Sequence, residues 1–353
     1  MTTLNEATPL VSFILVTYNQ EEFVEEAVRA ALAQTYSPLE IIVSDDASID
    51  RTYEVAKAVV DAYEGPHRVI VRRNERNMGI NPHFNLAVNE AQGEFIVVAA
   101  GDDVSLPERT EKLAKAWMGG ASAVFSNAEM IDVRGQTKGL MVTPGFRNLR
   151  DWRGMLMHGT HASWGCTLSW EKRVFNLFGD MQENILGEDA VVPFRGSLLK
   201  GVVYVDEPLV RYRDRGGNVS FWSKEKGLGP KELIELGCHI MQFKRQMYDN
   251  WSNDLTAANA LGIISVAELK WGTDVLQESS IIASKMEYLI KSNFLMTLFL
   301  MPIWIVFLSA RMARFFGVPI SFKHTAWKIL NGVLHYRAPR THRVIRRLLG
   351  RNI

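Results

Sequence analysis

Cysteine is nearly missing: Cys166 and Cys238 are the only two in 353 residues. Two thiols so far apart form neither a disulfide framework nor a metal-ligand spacing, so a reduced, cytoplasmic setting is expected. The N-terminus has no basic segment leading into an apolar one, and no secretory signal is expected. Net charge is only +1, which gives no bulk attraction to polyanions, and no nucleic-acid partner is expected. No Gly-x-Gly-x-x-Gly turn follows the first apolar run, which excludes a dinucleotide-dependent oxidoreductase. Asp and Glu are absent from Arg311 to Ile353, a stretch that contains ten Arg and Lys residues. That local imbalance points to a polyanionic partner, a membrane surface or a nucleic acid, and the seventeen uncharged residues at 294–310, which a nucleic-acid arm would not need, favour the membrane surface.

What is present is an alternation. LVSFILV (10–16), LEIIVS (39–44), RVIVRR (68–73) and EFIVVAA (94–100) are short apolar runs rich in β-branched residues and read as strands. Between them, 51–63 and 81–92 read as helices. A helix is also expected from Asn19, because Asn19 and Glu22 form a capping-box pattern and an apolar stripe follows from Phe23 to Leu32. Strands alternating with helices imply an α/β fold with a parallel sheet. SAVFS (122–126) and VVYV (202–205) are further strand candidates, and from about residue 228 the pattern is mostly helical.

Three of the runs end in polar clusters: Thr17-Tyr18-Asn19, Asp45-Asp46 and Asp102-Asp103. Ligands of such sheets bind outside the carboxyl ends of the strands, so the three clusters are expected to share one site. Asp102-Asp103 supplies hard oxygen ligands of the kind Mg²⁺ or Mn²⁺ takes beside phosphate groups, although an Asp pair capping the turn before Pro107 is an equally good reading of the dipeptide alone. Asp46 can accept the imide N–H of uracil or thymine. Asp50 reads as a cap for the helix that starts near Arg51.

The stretches VSFILVTYNQEEFVEEAV, QTYSPLEIIVSDDASIDRT and NMGINPHFNLAVNEAQGEFIVVAAGDDVSLPER resemble, in order and spacing, the family 2 glycosyltransferases with the GT-A fold. The resemblance covers roughly residues 10–110. It implies a Rossmann-like mixed sheet with helices on both faces and a nucleotide-diphosphate sugar, UDP- or dTDP-linked, as donor. It also implies that Thr17 and Tyr18 flank the nucleotide, Asp46 contacts the base with Asp45 beside it, and Arg72 or Arg73 and Asn77 line the pocket. Asp103 becomes the direct metal ligand, with Asp102 nearer the ribose or a metal-bound water. The family's acidic motif is Asp-x-Asp-Asp; Ala100 stands at its first position, which leaves a two-carboxylate version.

Inverting transfer needs one general base for the acceptor hydroxyl. The family places it in a Glu-Asp pair at the start of a helix, and Glu188-Asp189 in ILGEDAVVPFR (185–195) fits, with Asp189 as the base. The same acids also suit any helix N-terminus. Trp164-Gly165-Cys166-Thr167 falls at the family's acceptor-side loop. Gly165 permits close backbone approach, and Trp164 either stacks on a sugar or belongs to the core. LVRYRDRGGNVS (209–220) resembles the family's Tyr-Arg-x-His-x-x-Asn-x-Ser lid. Arg213 matches its Arg. Arg215 replaces its His; it cannot ligate a metal but can neutralise a diphosphate.

Residues 294–310 carry no charge over seventeen positions, with Pro302 in the middle. A bilayer span takes about 20 apolar residues. A peripheral or monotopic module over 286–353 is expected, at the cytoplasmic face of the plasma membrane, with a buried helix pair as the competing reading. The expected organisation is a catalytic domain over 1–225 and a helical region over 226–353. The acceptor is then the hydroxyl of a lipid-linked glycan or saccharide. A polyprenyl-phosphate acceptor, or an inactive membrane-bound scaffold, is the rival reading. Homo-oligomerisation is left open.

Overall fold

The computed structural model describes residues 8–141, 151–158, 163–183, 187–215 and 230–292. Its centre is a nine-stranded mixed sheet. The four apolar runs form β1 (Val11–Thr17), β2 (Leu39–Asp45), β3 (Arg68–Arg73) and β4 (Phe95–Ala100). They pair in parallel in the order β3-β2-β1-β4. The sheet also contains β5 (Val104–Ser105), β6 (Ala123–Ile131), β7 (Thr137–Met141), β8 (Ser169–Glu171) and β9 (Val202–Arg213). Past β4 the order is β8-β6-β9-β5, with β7 also on β6. β8 runs antiparallel to both β4 and β6, so the sheet is mixed as expected.

β1 and β2 are buried on both faces, which is why they read as continuous apolar runs rather than alternating ones. Phe13, Leu15, Ile41, Val43 and Val97 face one way and pack under helices α1 (Val24–Leu32), α2 (Thr52–Asp61) and α4 (Arg109–Met118). Ile14, Ile42, Ile96 and Val98 face the other way, against α3 (Ile80–Glu90), α5 (Trp152–His158), α6 (Arg173–Phe178) and α7 (Glu188–Leu198). Each fully buried side chain of this size contributes about 2 kcal/mol.

The long helices α8 (Pro230–Ala260) and α9 (Val266–Ser292) extend this second core. Trp251 stacks on Phe194 with ring centroids 4.6 Å apart and donates its indole N–H to the Ala190 carbonyl at 2.8 Å. Arg195 of α7 and Asp254 of α8 form a buried ion pair at 3.0 Å. Breaking one partner of such a pair costs about 3–5 kcal/mol, so α7 is firmly held from behind.

One boundary differs from expectation. α1 starts at Val24, not at Asn19, and no side chain caps it. Asn19 sits at φ 51°, a left-handed conformation that Asn tolerates, and its side chain instead accepts the Ile49 N–H at 2.9 Å. A tie between two loops has won over the local cap. Among the described residues no helix is long and apolar enough to cross a membrane. The uncharged run 294–310 and the basic tail lie outside the described residues, as do Gly216, Gly217 and the rest of the lid segment to Ser220.

Candidate active site

Strand register aligns the polar clusters. Thr17 is level with Asp45, Asp45 with Arg73, and Val16 with Ala100. Thr17-Tyr18, Asp45-Asp46, Arg73 and Asp102-Asp103 therefore emerge side by side at one carboxyl edge. On the far side of β4, Val97 is level with Ser169, which brings 164–167 alongside the acidic turn. Gly165 in turn abuts Glu188: a Cβ built on Gly165 would lie 2.1 Å from Glu188 Oε1. The sequence-predicted residues thus line up across the sheet in the order 73–77, 45–46, 17–18, 102–103, 164–165, 188–189.

At the β2–β3 end, the Asp46 carboxylate is buried and takes three donors. Asn74 Nδ2 and the Met78 N–H reach Oδ1 at 2.7 and 2.9 Å, and the Gly79 N–H reaches Oδ2 at 3.0 Å. A carboxylate offers about four lone-pair directions, so one remains on Oδ2. Asp46 is thereby the organiser of the 74–79 loop, and Asn77 Oδ1 tightens the same loop by accepting the Gly79 N–H at 2.9 Å. Asp45 accepts the Ser48 N–H at 2.9 Å and the Ser48 hydroxyl, with Arg73 Nε at 3.4 Å. Burial raises the Asp45 pKa against these partners. Arg73 also lies over the Tyr53 ring and reaches Glu54, so it braces the edge of the pocket. Tyr18 is the exposed aromatic here, at 42% exposure, with a ring free to meet a planar ligand.

The acidic turn sits deeper. Gly101 is tight against β1: an added Cβ would come within 2.5 Å of Thr17 Oγ1 and 2.6 Å of Gln20 Oε1. Asp103 Oδ1 accepts the Arg213 main-chain N–H at 2.9 Å, and Arg213 Nε donates to the Asp102 carbonyl at 2.9 Å. Arg213 also donates to the Asp132 and Val133 carbonyls and pairs with Glu26. This buried guanidinium pins the turn to β9 and α1. Arg215 pairs with Asp102 Oδ2 at 2.9 Å. Burial and the neighbouring Asp102 push Asp103 up to about 8, and burial also raises Asp102 against the pull of Arg215.

Two adjacent buried carboxylates ionise together only with positive charge beside them; Arg215 supplies part of it, and a divalent cation would supply more. That donor set fits Mg²⁺ or Mn²⁺ held by one or two carboxylates plus phosphate oxygens. Among the described residues no group of three or more His, Cys, Asp or Glu forms a closed metal cage. An ion here would depend on oxygen atoms of its substrate.

At the far end of the edge, α7 opens at Gly187, whose φ of 101° suits glycine and where an added Cβ would come within 2.4 Å of Asp189 Oδ1. Glu188 is half-buried, and burial together with Asp189 raises it to about 7. Pro193 lies inside α7 and has no N–H for the Asp189 carbonyl four residues back. Ser163 Oγ donates to that carbonyl instead, at 3.2 Å. The Trp164 indole N–H is buried without a partner.

Three residues not singled out in the sequence complete the site. Gln20 Oε1 accepts the Thr17 hydroxyl at 2.8 Å and the Tyr18 N–H at 3.3 Å. His83 Nε2 meets Ser44 Oγ at 2.7 Å, and burial lowers its pKa to about 4, so the ring is neutral. Arg109 is fully buried behind Asp103. His83 lies in the expected helix 81–92 and Arg109 two residues after Pro107, but nothing in their spacing distinguishes them from surface residues.

Residues 12–173 match the family model described as Glycosyl transferase family 2. This part of the chain is a family 2 glycosyltransferase domain. The match spans Thr17-Tyr18, Asp45-Asp46, residues 73–77, the acidic turn and the 164–167 loop, whereas Glu188, Asp189, Arg213 and Arg215 lie beyond it. An uncharacterized glycosyltransferase of Methanocaldococcus jannaschii is 36% identical over 109 residues, 30% of this chain and 37% of the relative. The succinoglycan biosynthesis protein ExoO of Rhizobium meliloti is 29% identical over 130 residues, 36% of each chain. The chain thus spans little more than a third of the length of these curated relatives. Among solved structures, S. aureus TarS 1-349 in complex with UDP-GlcNAc is similar at a TM-score of 0.49 and 16% identity, over 86% of this chain and 89% of that one. The matched segment includes Tyr18, Asp45-Asp46, Arg73 and Asp102-Asp103, and α7 and β9 supply the rest of the edge.

Proposed function

We propose that this chain is an inverting glycosyltransferase that moves a sugar from a UDP- or dTDP-sugar to a hydroxyl of a lipid-linked glycan or saccharide. The observation that carries the reading is the order of groups along one sheet edge: Tyr18 and the 45–79 pocket, then Asp102-Asp103, then Gly165, Glu188 and Asp189. In this reading Tyr18 flanks the base and Asp46 shapes the loop that receives it. Asp102 and Asp103 would hold Mg²⁺ or Mn²⁺, which would supply charge neutralisation at the leaving diphosphate. Arg215 adds positive charge at the same place. Asp189 takes the proton of the acceptor hydroxyl, the single base that one displacement with inversion needs. Trp164 and Gly165 form the acceptor wall.

The two-part organisation, 1–225 and 226–353, and attachment of 286–353 to the cytoplasmic face of the plasma membrane belong to the same proposal. They would bring the site to a lipid-linked acceptor. A surface-polysaccharide setting is supported by the succinoglycan relative.

The test is consumption of a panel of nucleotide sugars, with and without Mn²⁺, in the presence of membrane extract as acceptor. One UDP- or dTDP-sugar is expected to be consumed in the metal-dependent reaction, and Asp189→Asn is expected to abolish transfer while UDP still binds. If no sugar nucleotide is consumed under either condition, the proposal fails. A fully active Asp189→Asn would move the acceptor to a phosphate, which needs no strong base.

A further inference from the structure

Arg109 is the first residue of α4, yet its side chain is completely buried rather than solvated. It lies where two strands part. β4 and β8 pair from Phe95–Glu171 to Val97–Ser169, and the Val98 N–H still reaches the Leu168 carbonyl at 3.3 Å. Beyond that point one branch becomes the acidic turn and the other the 164–167 loop. Arg109 fills the fork. One nitrogen, Nη2, donates to the Val98 carbonyl on the first branch at 2.7 Å and to the Cys166 carbonyl on the second at 2.9 Å. The other, Nη1, donates to Ser105 Oγ at 2.8 Å, and the guanidinium lies 6.0 Å from the centroid of Phe13.

Burying a cation is costly unless its donors and charge are matched. Only Nε lacks a hydrogen-bond partner. A planar fork of donors can hold two diverging carbonyls at once; a lysine ammonium is a point charge without that reach.

We propose that Arg109 is a positioning residue that mechanically links the Asp102-Asp103 turn to the 164–167 loop, so that filling the donor side orders the acceptor side. This rests on the functional reading above, in which those two segments serve donor and acceptor. The linkage is short, because a single nitrogen bonds both branches. It is also rigid, because the guanidinium has no solvent to move into.

Hydrogen exchange on the full chain, followed by mass spectrometry, tests it. UDP with Mn²⁺ is the probe, and Arg109→Met and Arg109→Lys are the variants. In the wild type, UDP–Mn²⁺ is expected to slow exchange in both 98–105 and 163–168. In either variant, protection is expected to persist in 98–105 and to vanish in 163–168. Without ligand, 163–168 should exchange about tenfold faster than in the wild type while α8 is unchanged. Arg109→Lys keeps a buried cation and serves if Arg109→Met does not fold. The proposal is overturned if 163–168 stays ligand-protected in the variants, or if α8 accelerates by the same factor as 163–168. If UDP–Mn²⁺ protects nothing in the wild type, the functional reading has failed instead, and the ligand-free comparison of 163–168 with α8 still decides the role of Arg109.

Discussion

Arg215 Nε lies 2.9 Å from Asp102 Oδ2, so a guanidinium already occupies one of the two acids that would meet a metal ion. The side chain is about one-third exposed, at 32%, so the pair is screened and contributes at most about 1 kcal/mol. A divalent cation must displace or share that contact. Arg215→Ala should therefore tighten Mn²⁺ binding to the nucleotide-free protein by up to about fivefold. It should also weaken UDP binding, because a positive charge next to the diphosphate is lost. Opposite shifts, read by paramagnetic resonance of free Mn²⁺ and by calorimetry with UDP, are the signature; equal shifts of one sign would remove Arg215 from this role.

Gly165 and Glu188 make a second decisive contact. A methyl group on Gly165 would be 2.1 Å from Glu188 Oε1, the mobile end of a side chain and not backbone. Gly165→Ala should therefore fold, with Tm lowered by only a few degrees, because Glu188 can swing aside. Transfer should drop sharply, since the displaced carboxylate and the new methyl would occupy the proposed acceptor wall, while affinity for UDP with Mn²⁺ is kept. A large loss of Tm, or unchanged transfer, would contradict this account of the contact.

The parts of the site that could be read from sequence are those governed by local pattern. β1 to β4 announce themselves as apolar runs, and register follows once they pair in parallel, so Tyr18, Asp46 and Asp103 fall on one edge. Glu188-Asp189 is picked out through the family resemblance; acids favouring a helix start is the rival reading of the same pair. What stayed hidden depends on distant partners. Asn19 looks like a cap but is claimed by Ile49, thirty residues on. Arg109 looks like a solvated helix start, and only the splitting of β4 from β8 shows why it is buried. Arg213 reads as a ligand-facing cation, yet its donors go to Asp102, Asp132, Val133 and Glu26.

The raised pKa of Glu188 makes a stability prediction with a definite sign. Its ordinary value is 4.5, and burial plus Asp189 lift it to about 7 in the folded protein. A carboxyl group lifted on folding favours the native state when protonated. That contribution is fully present below about 4.5 and is lost as pH rises through about 7. Glu188→Gln cannot ionise and escapes the loss. Thermal melts should show the variant more stable than the wild type at about pH 8, with the gap shrinking toward about pH 5. A gap that stays constant across that range would mean that Glu188 titrates normally.

Pro193 is the residue whose replacement should separate stability from activity. Inside a helix, proline removes one hydrogen bond and crowds the carbonyl four residues earlier, at a cost of about 3 kcal/mol in an unconstrained helix. In α7 that carbonyl belongs to Asp189, and Ser163 Oγ has taken the vacant position at 3.2 Å. The defect therefore ties the residue proposed as the base to the segment leading into Trp164 and Gly165. Pro193→Ala restores an N–H, which should bond the Asp189 carbonyl within the helix and release Ser163. Tm should stay level or rise, since α7 gains a bond and remains packed through Phe194, Trp251 and the Arg195–Asp254 pair. Transfer should fall as Ser163 loses its anchor, and Ser163→Ala should reproduce the fall without the gain in Tm. If Pro193→Ala lowers Tm by many degrees, the proline is serving the packing of α7 and not the link to Ser163.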